Sequence, residues 1–242
     1  MIFWIASYPK SGNTYLRSFL SSYYYSDNGK FDFDLLLNIH QFPNMKFSKT
    51  KIDSREEASK KWIFHQNSFF EKDKLNFVKT HNCLLEYKGN KFTTKNETVG
   101  AIYIVRDPRN VITSLTNHYS LSYEEALNYM LNENSSLLEK SYNDDHSNFT
   151  YLNSWSNHYK SWRDNAEFKI LFIKYEDLEN KKDEIFNKII LFINEISNGE
   201  KKINEKRFYN SIRTTNFVNM KNKELNEGFE ESIISKKTGK KN

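Results

Sequence analysis

The chain has 242 residues and a mass of 28.9 kDa, a length that one core of ordinary size accommodates, so residues 1–242 are read as a single domain. Aromatic residues reach 16% against 38% apolar overall, which assigns much of the buried area to Phe, Tyr and Trp. The net charge of +5 suits an anionic ligand, but Lys and Glu are interspersed, which argues against a nucleic-acid surface; the single cysteine, Cys83, excludes an intramolecular disulfide. No apolar run approaches the ~18 residues of a membrane span and no basic leader precedes one, so no membrane span and a cytoplasmic location are expected.

Met1 to Ala6 is a continuous apolar run, too short for a core helix, and predicts a strand buried on both faces in a parallel sheet. A helix follows from near Asn13, with Tyr15, Leu16, Phe19, Leu20 and Tyr23 on one face. Residues 24–76 give few signals beyond Ser54-Arg55-Glu56-Glu57, a capping box before a helix through Phe70. Asn76 to His81 predicts a short strand ending in polar groups, and Val99 to Val105 a buried strand. Asp107 and Pro108 supply an N-cap and first-turn proline for a helix with Val111, Ile112, Leu115 and Tyr119 inward and Asn110, Thr113, Ser114 and Asn117 outward.

Ser122-Tyr123-Glu124-Glu125 is a second capping box, opening a helix with Ala126, Leu127, Met130 and Leu131 inward. Tyr151, Leu152, Trp155, Tyr159 and Trp162 predict another helix, Phe168 to Ile173 a strand, and Ile185 to Ile196 an amphipathic helix. Residues 235–242 form a basic tail read as solvated. Strands alternating with helices predict an α/β domain whose central sheet is mainly parallel and flanked by helices.

In such a sheet, ligands sit beyond the carboxyl ends of the strands, where helix N-termini present unpaired N–H groups. The stretch "SYPKSGNTY" falls at such an edge. Gly12 allows close backbone approach, successive N–H groups can cradle an anion, and Lys10 adds a point charge. A solvated lysine in an ordinary loop is the competing reading. The stretch is not the nucleoside-triphosphate loop G-x-x-x-x-G-K-[ST], because Lys10 precedes the single glycine. In "IYIVRDPRNVITSLTNHY", Arg106 ends a strand and Ser114 lies on the polar side of the next helix, types suited to a second phosphate.

Taken together, "YPKSGNTY" and "RDPRNVITS" resemble the two phosphate-binding elements of the sulfotransferases that use 3′-phosphoadenosine 5′-phosphosulfate (PAPS), in the same order and at the same strand-to-helix junctions. "KTH" at Lys79 to His81, "KYEDL" at Lys174 to Leu178 and "TNFVNMK" at Thr215 to Lys221 resemble further family segments in order. The resemblance implies that Lys10 contacts the 5′-phosphate, that Ser11, Gly12, Asn13 and Thr14 surround it, and that Tyr15 stands where a tryptophan stacks on adenine. It implies that Arg106 and Ser114 bind the 3′-phosphate, that Tyr175, Thr215 and Phe217 lie near the adenine, that His81 is the general base, and that Lys79 stabilises the sulfuryl group. No metal is implied.

Asn13 stands in place of a threonine, and "SKKTGKKN" at Ser235 to Asn242 differs from the family's closing "RKGxxGDW"-like loop. Sulfuryl transfer needs two partners in line, a stabilised leaving oxygen and a base, roles that Lys10, Lys79 and His81 fill by type. A catalytically silent nucleotide-binding module and a P-loop kinase are the alternatives. The unmatched stretches 24–76 and 120–165, with their tyrosines and Trp62, are expected to frame a small-molecule or glycan acceptor, though each of these aromatics equally suits the core.

Overall fold

Side chains of the first strand, β1 (Ile2–Ser7), alternate between two separate apolar layers, and this sets the architecture of the whole molecule. The computed structural model describes residues 1–48, 52, 54–140, 147–199, 202–216 and 218–220. Five strands form one parallel sheet: β1, β2 (His40–Gln41), β3 (Asn76–Thr80), β6 (Thr98–Val105) and β9 (Ile170–Lys174), in the order β2-β3-β1-β6-β9. A two-residue hairpin, β4 (Glu86–Tyr87) with β5 (Asn90–Lys91), and a longer one, β7 (Ser136–Lys140) with β8 (Ser147–Tyr151), lie outside it. The α/β class with a parallel sheet is the one the alternation of elements predicts.

Phe3 and Ile5 face a layer built from helices α1 (Asn13–Tyr25), α7 (Lys182–Ser197) and α8 (Glu205–Thr214). Phe19 stacks on Phe186 at 3.8 Å between ring centroids, so α1 and α7 are locked ring to ring. Trp4 and Ala6 face the opposite layer, with Phe42, Trp62 of α2 (Arg55–Phe69) and Trp162 of α5 (Trp155–Arg163). Trp62 is 1% exposed and packs edge-on to Phe92, which assigns it to the core rather than to an acceptor pocket. A smaller cluster joins Tyr8 to α3 (Pro108–Tyr119) and α4 (Tyr123–Leu131).

Caps terminate these helices where the residue types direct. Asp107 accepts from the N–H of Arg109 and Pro108 opens α3; Ser122 and Glu125 complete both halves of a capping box on α4. Ser54 accepts from Glu57 N–H at 3.1 Å, and the Glu57 carboxylate is paired with Lys61 one turn on. Two expectations need correction. Tyr151 and Leu152 are not helical: Tyr151 ends β8, and α5 begins only after Ser154 caps it, because the intervening Asn153 takes a positive φ of 61°. Tyr119, at 38% exposed, and Leu127 and Leu131 point outward, because α3 and α4 pack mainly on each other through Val111, Leu115, Ala126 and Met130. The short helix α6 (Tyr175–Asn180) and the β7–β8 hairpin went unpredicted, the second because its strands carry no clean alternation.

Candidate active site

Four neighbouring strands deliver the chemistry-bearing residues to one edge. His81 follows β3, the Lys10 loop follows β1, Arg106 follows β6 and Tyr175 follows β9, and these strands lie side by side in the sheet. The chain leaves β1 toward β3 on one side and reaches β6 on the other, so the edge above β1 is the switch point where an open α/β sheet forms its crevice.

The loop after β1 is held in an uncommon conformation. Lys10 has a φ of 64° and Gly12 a φ of 93°, both in the left-handed region that turns successive N–H groups toward one point. A Cβ on Gly12 would lie 2.2 Å from Cδ2 of Tyr175, so only glycine fits beneath that ring. The Tyr175 ring in turn lies under the Arg106 guanidinium, 4.4 Å from ring centroid to Cζ, and donates its hydroxyl to Glu179 at 2.9 Å. Burial, then that bond, pushes the Tyr175 phenol up to about 12. Arg106 Nη1 donates to the Lys10 carbonyl at 2.9 Å, which ties the two predicted phosphate elements together.

Asn13 does not turn its side chain toward this cradle. Its amide donates to the Ile5 carbonyl at 3.0 Å and to Ser7 Oγ at 3.2 Å, anchoring α1 to β1 and leaving its backbone N–H as its contribution to the loop. The cradle nevertheless suits an anion. Ser11 Oγ and Arg106 Nε are both buried and have no hydrogen-bond partner among the described residues, an arrangement that costs free energy unless a ligand accepts from them.

His81 lies beside β1 with its ring defined by a backbone contact. Nδ1 is 2.8 Å from the Ser7 carbonyl, which only accepts, so Nδ1 carries the proton and Nε2 keeps its lone pair. Burial, with a further push from Lys79, drives the imidazole down to about 3. Lys79 is itself 7% exposed, paired in register with Ile5 on β1, and Arg17, buried on α1, adds to the same positive field at His81. The spacing of four residues from Asn13 to Arg17, one face of a helix, is the signal that could have singled out Arg17.

His158, fully buried on α5, was also missed. Its Nε2 donates to the His81 carbonyl at 3.0 Å, and its Nδ1 therefore accepts from the Tyr103 hydroxyl at 2.8 Å. Nothing in its own sequence context marks it.

The remaining predicted residues are more dispersed. Thr14 sits in the first turn of α1, and Tyr15 is half-buried, edge-on to Phe186 at 5.5 Å. Ser114 is half-buried on the second turn of α3. Thr215 is buried at the end of α8, its hydroxyl donated to the Ser211 carbonyl at 2.7 Å. Since Asn204 meets Tyr23 and Phe208 meets Phe19, α8 runs antiparallel to α1 and carries Thr215 toward the α1 N-terminus. Phe217 and the 235–242 tail lie outside the described residues. Among the described residues no three His, Cys, Asp or Glu side chains assemble into a metal-holding group, and no helix is long and apolar enough to cross a membrane.

A loop with two left-handed residues, an arginine bonded to its backbone and a histidine whose Nε2 keeps its lone pair thus meet at the switch point of an α/β sheet. The sulfotransferase domain family matches residues 2–241, and the chain belongs to that family. Its fold is similar to a crystal structure of retinol dehydratase in a complex with retinol and PAP (TM-score 0.57, 17% identity, 95% of this chain and 70% of that one). It is also similar to retinol dehydratase in complex with androsterone and inactive cofactor PAP (TM-score 0.55, 17% identity, 92% of this chain and 66% of that one). The chain thus spans about two thirds of those proteins' length. No curated protein matches it.

Proposed function

We propose that this protein transfers a sulfuryl group from PAPS to a hydroxyl or amine of a small-molecule or glycan acceptor. The observation that carries the reading is the lock between Arg106 and Lys10: it joins a 5′-phosphate loop to a 3′-phosphate arginine at the switch point, next to a base. The donor supplies a sulfuryl group already activated by its bond to the 5′-phosphate. Lys10, the hydroxyl of Ser11 and the N–H groups of Gly12, Asn13 and Thr14 hold that phosphate and stabilise charge on its leaving oxygen. Arg106 Nε and Ser114 hold the 3′-phosphate, with Tyr15, Tyr175, Thr215 and Phe217 near the adenine.

His81 Nε2 takes the acceptor's proton as the acceptor oxygen bonds to sulfur, and Lys79 offsets charge on the sulfuryl oxygens. A neutral imidazole is the form this step requires, and the buried cationic surroundings keep it neutral. The buried thiol of Cys83 is in keeping with a reducing, cytoplasmic setting.

The test is a thermal-shift titration with adenosine 3′,5′-bisphosphate, set against AMP and against ATP with magnesium, followed by transfer of 35S from labelled PAPS. A midpoint shift specific to the bisphosphate supports the donor site, since only native-state binding raises stability by RT ln(1 + [L]/Kd). A shift with ATP and magnesium alone would instead favour phosphoryl transfer, and a bisphosphate shift without transfer a silent binding module.

A further inference from the structure

We infer that the acceptor is a saccharide, recognised in the cleft between the first turn of α2, the β4–β5 turn and the segment around β7 and β8. This rests on the sulfotransferase reading and specifies its substrate class. The cleft has a volume of about 270 Å³ and Arg55, Tyr87, Glu133, Asn134, Tyr151 and Asn153 form most of its wall.

The character of that wall decides the class. Leu85 is its one aliphatic side chain; Glu86 and Ser135 complete it alongside a guanidinium, a second carboxylate and two amides. A largely apolar steroid or polyene entering here would strip water from those of these groups not already bonded within the protein and return few hydrogen bonds, at a cost of roughly 1–3 kcal/mol for each group left unpaired. Sugar hydroxyls donate and accept at once, so they satisfy carboxylates, amide groups and a guanidinium with the same few atoms. Arg55 is already oriented, Nη2 donating to the Asn134 carbonyl at 2.9 Å, and among the described residues it has no carboxylate partner.

The rings point the same way. Tyr151 is 6% exposed, lines the cleft, and its hydroxyl has no hydrogen-bond partner among the described residues. Tyr87 packs against it at 5.2 Å between centroids. Tyr151 backs the half-buried Tyr87, whose ring surface suits the C–H face of a pyranose.

The cleft is built onto the base. Three residues lie between His81 and Leu85, so the two are at most about 14 Å apart along extended chain. Asn82 Oδ1 accepts from the Tyr151 N–H at 2.8 Å, and Cys83 N–H donates to the Tyr151 carbonyl at 2.7 Å. Helix α5 holds both ends, His158 gripping the His81 carbonyl while Asn157 donates to Glu133 at 3.0 Å and to Asn153 at 3.2 Å.

The experiment incubates the full chain and 35S-labelled PAPS with a printed array of neutral, amino-sugar and uronic-acid oligosaccharides, and in parallel with retinol and androsterone. Label in array glycans is expected. Arg55→Ala and Tyr87→Ala should each raise KM for the best glycan by about tenfold, with kcat changed by less than about threefold. The midpoint shift given by adenosine 3′,5′-bisphosphate should persist in both variants, which shows that they fold. Label in retinol or androsterone but in no glycan overturns the inference, as does label in no acceptor while the bisphosphate shift is intact. Absence of that shift in the unaltered chain removes the donor reading instead, and the acceptor inference falls with it.

Discussion

His81 donates its Nδ1–H to the main-chain carbonyl of Ser7 across 2.8 Å, so the last residue of β1 decides which nitrogen of the ring after β3 is left to accept a proton. The Nε2 lone pair is thus set by a backbone contact rather than by a carboxylate.

His81→Asn should lower kcat by roughly 10²- to 10⁴-fold while leaving the bisphosphate thermal shift within error, because a base acts on the acceptor and not on the donor. The imidazole's value of about 3 also predicts the pH profile. The acid limb of kcat/KM should lie well below the ~6.5 of a solvated imidazole, leaving the rate level from about pH 5 to pH 8. An inflection near 6.5 in steady-state kinetics would show instead that the ring is solvated before substrate binds.

Arg106→Ala should weaken bisphosphate binding by roughly 30- to 100-fold, about 2–3 kcal/mol, measured by calorimetry. It removes a charged donor and also releases the Lys10 carbonyl that Nη1 holds at 2.9 Å. Arg106→Lys should recover only part of the loss, since a single ammonium cannot reach the Lys10 carbonyl and a phosphate with fork geometry.

Gly12→Ala should cost about 1–3 kcal/mol of stability and the bisphosphate shift as well. The added methyl would lie 2.2 Å from the Tyr175 ring, at a φ of 93°. Pairing it with Tyr175→Ala removes the clash and should restore part of the stability, read by urea denaturation, while the positive-φ cost of about 1 kcal/mol remains.

His158 predicts an acid-sensitive fold. Burial holds its imidazole down to about 4, so between that value and the ~6.5 of the unfolded chain the unfolded state binds a proton that the native state does not. The stabilisation is therefore complete above about pH 6.5 and is lost as pH falls, at roughly 1.4 kcal/mol per pH unit. His158→Gln should flatten the midpoint-against-pH curve over that interval. An unchanged slope would mean that the ring is protonated in the native state or exposed.

The sequence by itself determined the parts that depend on local chemistry. The apolar run of β1, the caps Asp107 and Ser122, the position of Gly12 before α1 and the order of the polar clusters are all decided within a few residues, where sterics and hydrogen-bonding capacity act directly. Only the tertiary structure decided which clusters meet. The order β3-β1-β6-β9 brings His81, Lys10, Arg106 and Tyr175 to one edge, and no local pattern specifies strand order. The same holds for His158 and Arg17, whose bearing on His81 arises from packing between segments far apart in the chain. It holds too for Trp62, which a composition argument leaves between core and pocket until Phe92 and Tyr151 close around it. Backbone chemistry acts over a turn or a strand, whereas burial and register are properties of the assembled layers, and it is these that fix the proton on His81 and shape the cleft lined by Arg55 and Tyr87.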